Sequence, residues 1–167
     1  MQVASMRPSF RNGFYAGLLL AIALGIYLFQ LWRAERQIEL HSVHFLEAVE
    51  EKEWTELEGF LAADYQDQWG QDRALVLSRL RELLRYTRAL RVQPLETLTR
   101  STAEEGEWRA RITVDGEANE VMLLIQQRIN SLEEPFAFQW RRQSWKPWDW
   151  RLVRVSNPAL ELPENAF

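Results

Sequence analysis

The sequence predicts an α+β protein, with an N-terminal transmembrane helix followed by about three helices packed on a curved antiparallel sheet. Three observations indicate this class. Residues 12–32 contain no charged side chain, residues 35–87 repeat apolar side chains at helical spacing, and the chain after Leu90 alternates apolar and polar side chains. Helices followed by consecutive strands are the element order typical of α+β domains. We expect a short tail at 1–12, the transmembrane helix at 13–33, one folded domain at 35–156 and an irregular tail at 157–167.

The uncharged run has the length and the flanking residues of a membrane anchor. As a helix it extends roughly 30 Å, the thickness of a bilayer hydrocarbon core. Tyr15 and Trp32 stand near its ends, where amphipathic rings favour the interface. A cleaved signal peptide is the alternative, but the run is long and continues into FQLWRAER without a small-x-small cleavage site. We expect an uncleaved single-pass anchor in the inner membrane with the domain on the periplasmic side. The flanking arginines are balanced at two on each side, so this orientation rests on the charge of the amino terminus before the run and on Glu35 and Glu39 after it.

Composition excludes several classes of function. The 167 residues include no cysteine, which rules out disulfides, thiol catalysis and cysteine-based zinc sites. The formal net charge of -4 gives no general case for nucleic-acid binding. Only Lys52 and Lys146 of the 20 basic residues are lysines. This arginine excess reflects either codon usage or recognition of carboxylates and phosphates.

Two helical patterns and a loop precede the strands. Residues 35–63 form the first, strongly acidic pattern, and residues 73–87 form the second, which is rich in arginine. Between them the sequence AADYQDQWGQD predicts a loop, because Asp, Tyr, Gln and Gly crowd together there. Asp72 is placed to cap the second helix.

Alternating residues predict an antiparallel meander that begins with a strand at about 91–102. Further strands are expected within 106–116, 118–132 and 135–143 and in a closing run around Trp150. The side chains expected on the inward face are Trp108, Ala110, Ile112, Val114, Val121, Leu123, Ile125, Ile129, Phe136, Phe138, Trp140, Trp148, Trp150 and Leu152.

These residues together resemble the NTF2-like superfamily, in a bacterial, membrane-anchored, SnoaL-like form. The resemblance covers roughly 35–156 and rests on a D-Y-x-D-x-x-G turn before a helix and on a last strand of the form W-K-x-x-D-W. The matching positions are Asp64, Tyr65, Asp67, Gly70, Trp145, Lys146, Asp149 and Trp150. The resemblance implies a cone, in which a bent sheet surrounds a cavity and helices close one side. Because this superfamily contains both enzymes and non-catalytic domains, the fold does not decide the function.

The sequence suggests residues for a ligand pocket but no catalytic residue, cofactor or metal. The pocket candidates are Asp64, Tyr65, Asp67, Trp69, Gln127 and Trp140. Turn formation and ring packing are the alternative roles of the first three residues. His41 and His44, with Glu47, have a spacing that could begin a metal site, although a packed histidine beside a solvated one is the simpler reading.

The outward strand faces suggest an interaction surface. Its candidates are Arg109, Arg111, Arg141, Trp145 and Arg151. Such a surface would fit an acidic partner, a membrane protein or a second copy of the chain, and a merely solvated face is the alternative. The sequence therefore favours a membrane-anchored, non-catalytic binding or assembly module. The alternative is an enzyme or carrier for a small apolar ligand held in the cone.

Overall fold

The computed structural model describes residues 10–85, 87–117 and 120–160, and these form five helices and one four-stranded sheet. The helices are α1 (Phe10–Leu31), α2 (Ala34–Glu51), α3 (Trp54–Phe60), α4 (Arg73–Leu84) and α5 (Glu120–Asn130). The strands are β1 (Arg88–Ser101), β2 (Glu105–Glu117), β3 (Phe136–Arg142) and β4 (Trp150–Ser156). The α+β class predicted from the sequence is thus confirmed. The ends of both predicted tails, at 1–9 and 161–167, lie outside the described residues.

Helix α1 carries its large apolar side chains on the surface, including Phe14, Leu20 and Tyr27. It is followed almost directly by α2, because only Trp32 and Arg33 separate the two helices. Within the described part of the chain, no helix combines the length and the apolar character needed to cross a membrane.

The first predicted helical segment is two helices, because the backbone turns sharply at Lys52. This residue adopts the left-handed conformation, with φ 58°, and the N–H groups of Lys52 and Glu53 bond back to the last turn of α2. The Lys52 side chain then donates to the carbonyl of Thr87 at 2.6 Å. The end of α2 is thereby fixed to the start of β1.

Asp72 caps α4 as predicted, because its Oδ1 accepts the backbone N–H of Leu75 at 2.8 Å. The helix ends at Leu84, three residues before the predicted end. Thr87, the last residue of the predicted helix, is instead buried just before β1.

The sheet has the order β1-β2-β3-β4, and every neighbouring pair is antiparallel. Two register shifts interrupt β1, and a residue with positive φ, Ala89 or Glu96, lies at each one. A third shift separates Gln139 from Trp140 in β3. Such bulges bend a strand and increase its twist, so they curve the sheet into a half-open cone.

The segment 118–132 differs from its predicted structure. It was predicted as a strand from the alternation of Val121, Leu123 and Ile125, but residues 120–130 form helix α5. Leu123 is exposed, whereas Met122, Ile125 and Ile129 share the face that meets the core. The segment has few β-branched residues and many good helix formers, which favours a helix over a strand. The apolar side chains at helical spacing then pack on the core.

Trp148 is a second correction, because it was predicted in the core with Trp150 and Leu152. Trp150 and Leu152 are fully buried, but Trp148 is 51% exposed. The strand begins only at Trp150, and residues 146–149 form a turn in which the N–H of Asp149 bonds to the carbonyl of Lys146 at 3.3 Å. Pro147 occupies the second position of this turn, where proline is favoured, and Trp148 therefore precedes the alternation.

The core differs between the two ends of the cone. At the end nearest α1, which we call the tryptophan-packed end, Trp108, Trp140 and Trp150 lie with Ile38 and Phe60 between sheet and helices. Ile38 comes so close to β2 that a Cβ added at Gly106 would lie 2.0 Å from its Cδ1. The opposite end, which we call the cavity end, lies between α4, α5 and the strands and contains open space.

Candidate ligand-binding cavity

A cavity of about 250 Å³ occupies the cavity end of the cone. Its wall combines the second half of α2, the loop before α4, both α4 and α5, and the ends of all four strands. The lining side chains are Phe45, Leu46, Val49, Tyr65, Asp67, Trp69, Val76, Leu80, Leu83, Leu84, Leu90, Val92, Ile112, Val114, Met122, Ile125, Ile129, Phe136, Phe138 and Val155. Asp67 and Tyr65 are the ionisable residues among them, so the wall is otherwise apolar.

The cavity reaches the surface beside α4. Val76, Leu80 and Leu83 border the cavity and are only half-buried. The backbone of α4 packs against α3 rather than closely against the sheet, which leaves room between its apolar face and the strands. Helix α4 therefore forms a wall of the cavity rather than filling it.

The loop before α4 places three of its side chains in the cavity. The N–H groups of Ala62, Gln66 and Gln68 bond to carbonyls of β4, and residues 65–67 are extended between turns at 63–64 and 68–69. In an extended chain alternate side chains point to opposite faces. Tyr65 and Asp67 consequently point inward, as does the partly buried Trp69 that follows them, and all three line the cavity. Of the six predicted pocket residues, these three are brought together.

Hydrogen bonds hold the loop at Asp67 and at Trp69. Asp67 Oδ1 accepts the backbone N–H groups of Trp69 at 2.9 Å and Gln71 at 2.8 Å. The Trp69 ring donates from Nε1 to the carbonyl of Leu160 at 2.9 Å. Gly70 provides the left-handed conformation that the turn needs, with φ 77°. The carboxylate is thus fixed in place, and no hydrogen bond within the described residues reaches its Oδ2.

Burial changes the acidity of both polar groups in the cavity. It raises the pKa of Asp67 above the ordinary value of 3.8, against the opposing effects of the two backbone N–H groups and of Arg79 and Arg154. Burial also raises the pKa of the Tyr65 hydroxyl, helped by the nearby Asp67. The cavity therefore favours the uncharged forms of both groups.

The other three pocket candidates lie elsewhere. Asp64 has the opposite parity to Tyr65, lies exposed, and forms a bond through each carboxylate oxygen to Arg141 Nη2, at 2.6 and 2.8 Å. That bond lowers the pKa of Asp64. Gln127 is exposed on α5, so its predicted inward position was wrong because the segment is not a strand. Trp140 is buried at the tryptophan-packed end, away from the cavity wall.

The predicted interaction surface consists of arginines that already have partners within the chain. Arg109 pairs with Glu107 at 2.6 Å, and Arg111 pairs with Glu96 at 3.0 Å. Arg141 pairs with Asp64, as described above. Arg151 donates to the carbonyl of Gly59 and lies 3.8 Å from Asp149. Trp145 is the fifth candidate, and its side chain is 84% exposed.

The two histidines of α2 lie in different environments. His41 is part-buried, its Nδ1 lies 2.8 Å from the carbonyl of Gln37, and its ring contacts Phe60 and Trp140 edge-on. Burial lowers the pKa of His41. His44 is exposed with its Nε2 4.0 Å from Glu47. Within the described residues, no three metal-ligating side chains are grouped together.

Sequence reasoning missed the contribution of α5 as a helix. Met122 was not predicted to face inward, and Asn130 was not singled out at all. The Asn130 amide accepts the N–H of Val114 at 2.7 Å and donates to its carbonyl at 2.8 Å. A side chain thus replaces the missing strand partner of β2. The spacing of Met122, Ile125 and Ile129 is the signal that could have identified this helix.

Comparison with solved structures shows which known folds this architecture resembles. No protein-family model matches the chain, and no curated protein matches its sequence. Among solved structures, an NTF2-like protein from Cytophaga hutchinsonii matches 74% of this chain and 95% of its own, with a TM-score of 0.53 and 18% identity. The domain has an NTF2-like fold. A protein provisionally named a dehydratase of the NTF2-like family, from Streptomyces avermitilis, has a TM-score of 0.55 at 14% identity and covers 73% of this chain and 93% of its own.

A further solved structure matches this chain over part of a longer protein. Bd1075 of Bdellovibrio bacteriovorus has a TM-score of 0.55 at 9% identity over 73% of this chain, which spans only 40% of that protein. At such identities the likeness concerns the fold alone. The activity of this NTF2-like domain must therefore be argued from its own cavity and surfaces.

Proposed function

We propose that this NTF2-like domain is a non-catalytic binding module that holds a small, largely apolar molecule in its cavity, close to a membrane. The observation that carries the proposal is the apolar lining of the cavity of about 250 Å³, interrupted by Tyr65 and Asp67. An apolar cavity of roughly 150 Å³ in a protein core is known to bind benzene. The space here therefore suits a substituted single ring or a short branched chain.

Asp67 gives the cavity one point of polar selectivity. Its Oδ1 is engaged by two backbone N–H groups, which leaves Oδ2 for a ligand. A ligand hydroxyl can bond to Oδ2 in either protonation state of the carboxyl group, because a hydroxyl both donates and accepts. We therefore expect an apolar ligand with one hydroxyl group to bind more tightly than the same ligand without it.

A binding experiment on the full chain in nanodiscs tests this proposal. Calorimetric titration with p-cresol and with toluene compares one ring with and without a hydroxyl group. Leu84→Phe would fill the cavity from its wall, whereas Leu124→Phe adds the same atoms on the exposed side of α5. We expect Leu84→Phe to remove binding of both compounds and Leu124→Phe to retain it. The Leu84→Phe titration also measures partitioning into the lipid, and equal heats for both variants would contradict the proposal.

The membrane part of the proposal rests on the uncharged sequence run of residues 12–32 and on the exposed apolar side chains of α1. It does not rest on helix length and apolar character in the structure, since no described helix meets the requirement for crossing a membrane. In this proposal the run is a single-pass anchor of the inner membrane, and the domain is periplasmic. A reporter that is active only in the cytoplasm, fused after Phe167, tests the orientation. A strong signal from that fusion would reverse it.

Catalysis is the second candidate, and the raised pKa of Asp67 favours it. A carboxylate beside an apolar ligand can act as a general base. Such a base would take a proton from the carbon next to a carbonyl, leaving the electron pair as an enolate, and would return a proton from solvent. Deuterium exchange at the α-carbons of cyclohexanone in D₂O measures this step. Exchange that requires the chain and disappears in Asp67→Asn would replace the non-catalytic proposal.

Association through the outer sheet face remains a separate proposal. Leu95 and Leu98 are exposed there, opposite Arg111 and Arg109 in the register of β1 and β2. A second copy or a membrane-protein partner could cover this mixed apolar and basic face. Leu98→Arg should disrupt the association and so lower the sedimentation coefficient of the chain. Leu123→Arg, on α5, should leave the sedimentation coefficient unchanged. Identical sedimentation of both variants and the parent chain would remove the proposal.

A further inference from the structure

The turn between β3 and β4 exposes two tryptophans that the cavity does not explain. Trp145 is the most exposed large apolar side chain in the described part of the chain, at 84%, and Trp148 is 51% exposed. Exposed apolar groups of this size, when they occur together, typically mark a surface that contacts something else. These two side chains belong to the motif SWKPWDW, whose third tryptophan, Trp150, is buried.

The turn presents both rings from an ordered backbone. The N–H of Gln143 bonds to the carbonyl of Asp149 at 2.8 Å, which closes the turn at its base. The buried ring of Trp150 donates from Nε1 to the carbonyl of Pro147 at 2.8 Å. Trp148 thus lies between two anchored residues. A surface that is fixed in this way loses little conformational entropy when it binds.

The turn lies at the same end of the domain as the junction between α1 and α2. Arg142, just before it, bonds through its N–H to the carbonyl of Glu104 in the turn between β1 and β2. Near that turn, Thr99 of β1 borders one cleft together with Tyr27 and Gln30 of α1. The exposed tryptophans and the exposed apolar helix therefore emerge from one end, and the cavity lies toward the other.

The chemistry of the turn fits the interfacial layer of a bilayer. Indole rings concentrate in this layer, because one part of the ring is apolar and the N–H remains hydrated. Lys146 lies between the two tryptophans in the sequence, and no salt bridge joins it to a carboxylate among the described residues. Arg142, just before the turn, bonds through its backbone N–H to Glu104, so carboxylates and basic side chains both occur at this end of the domain. We therefore expect the contact to depend on the rings rather than on attraction to anionic lipid.

We propose that Trp145 and Trp148 insert into the interfacial layer of the membrane that α1 enters, so that the domain rests on the bilayer with its cavity facing away. This proposal rests on the membrane part of the proposed function. It adds a second contact with the lipid, which would fix the direction of the cavity. A ligand would then enter from the aqueous side or from a partner, not from the bilayer.

Site-specific probes can test this contact because the chain has no cysteine. Single-cysteine variants carry an environment-sensitive fluorophore at Gln143→Cys beside the tryptophans, at Leu20→Cys on α1 and at Leu124→Cys on α5. The full chain is placed in phosphatidylcholine vesicles, an uncharged lipid, that contain spin-labelled lipids. We expect quenching at 143 by labels near the headgroup, at 20 by labels deep in the acyl chains, and at 124 by neither.

The tryptophans are then removed in the Gln143→Cys background. Trp145→Ala together with Trp148→Ala should lower headgroup quenching at 143 several-fold, while thermal unfolding is little changed because both side chains are exposed. Quenching at 143 that equals that at 124, or that survives the double substitution, would overturn the proposal. Absence of quenching at 20 would instead show that the membrane part of the proposed function fails, and this inference with it.

Discussion

At the tryptophan-packed end of the cone, three indole rings fill the space between helices and sheet, whereas at the cavity end the same four strands border an open space of about 250 Å³. The difference arises from side-chain size along each strand. In β2, Trp108 lies at the packed end, and Ile112 and Val114 line the cavity. In β4, Trp150 and Leu152 give way to Val155 in the same direction. A single curved sheet can therefore supply both a rigid core and a binding cavity.

The polar groups follow the same division. At the packed end the Nε1 atoms of Trp108 and Trp140 are buried with no hydrogen-bond partner among the described residues. At the cavity end Asp67 is bonded to two backbone N–H groups and still borders the open space. At the packed end, two indole N–H groups are therefore buried without a partner where side chains are closely packed. At the cavity end, packing is looser and a carboxyl group borders the space that a ligand could occupy.

The largest expected effect comes from emptying the packed end. Trp108→Ala should lower the free energy of unfolding by about 3–5 kcal/mol, because a fully buried ring is replaced by a cavity. Leu83 borders the existing space and is half-buried, so we expect Leu83→Ala to lower the free energy of unfolding by less. Urea unfolding of both variants measures the difference. Equal losses would show that the two ends contribute alike.

Filling the two ends with the same atoms should sharpen the contrast. Leu152→Phe adds atoms where no space exists and should cost about 1–3 kcal/mol. Leu84→Phe adds them at the cavity wall and should cost less than about 1 kcal/mol, or should stabilise. Thermal unfolding of the two variants provides the measurement. A greater loss for Leu84→Phe would mean that the cavity is not available to the new ring.

A single methyl group tests the closest approach at the packed end. Gly106→Ala places a Cβ 2.0 Å from Ile38 Cδ1, and we expect a loss of about 1–3 kcal/mol. Ile38→Val in the same chain should recover part of it, because the clashing methyl group is removed. Gly59→Ala is the control, since its Cβ meets nothing within 4 Å in helix α3. Loss of stability at Gly59 as large as at Gly106 would contradict this explanation.

The smallest effect concerns pH and belongs to the cavity end. Because the pKa of Asp67 is raised by burial, the folded state binds its proton more tightly than the unfolded state does. The stability that this proton contributes is fully present below about pH 3.8, the ordinary value, and is lost as the pH rises through the raised pKa. As the pH falls from neutral to about 4, the free energy of unfolding of the parent chain should therefore rise relative to that of Asp67→Asn. A difference that does not change with pH would show that burial leaves this group unaffected.

Periodicity predicted most of the domain but could not decide two local choices. The run from Val121 to Ile129 contains both an alternating and a helical set of apolar residues, so sequence alone did not separate strand from helix. Packing of Met122 and Ile125 against the core, together with the Asn130 amide on Val114, selects the helix. Trp148 would follow the alternation of β4 only if the strand began at Trp148 or earlier, and the turn at residues 146–149 prevents this.

The sequence by itself determined the α+β class, the cap at Asp72, the inward faces of β2 and β3, and the likeness to NTF2-like proteins, because these depend on spacing within one segment. Tertiary structure alone decided which carboxylate of the D-Y-x-D turn faces the cavity. Asp64 and Asp67 are the same residue type in one motif, so the sequence does not distinguish them. Pairing of the loop with β4 turns Asp67 inward, whereas Asp64 is exposed and binds Arg141. The empty volume was likewise decided by tertiary structure, since it depends on how far α4 and α5 stand from the sheet, a distance that no single segment encodes.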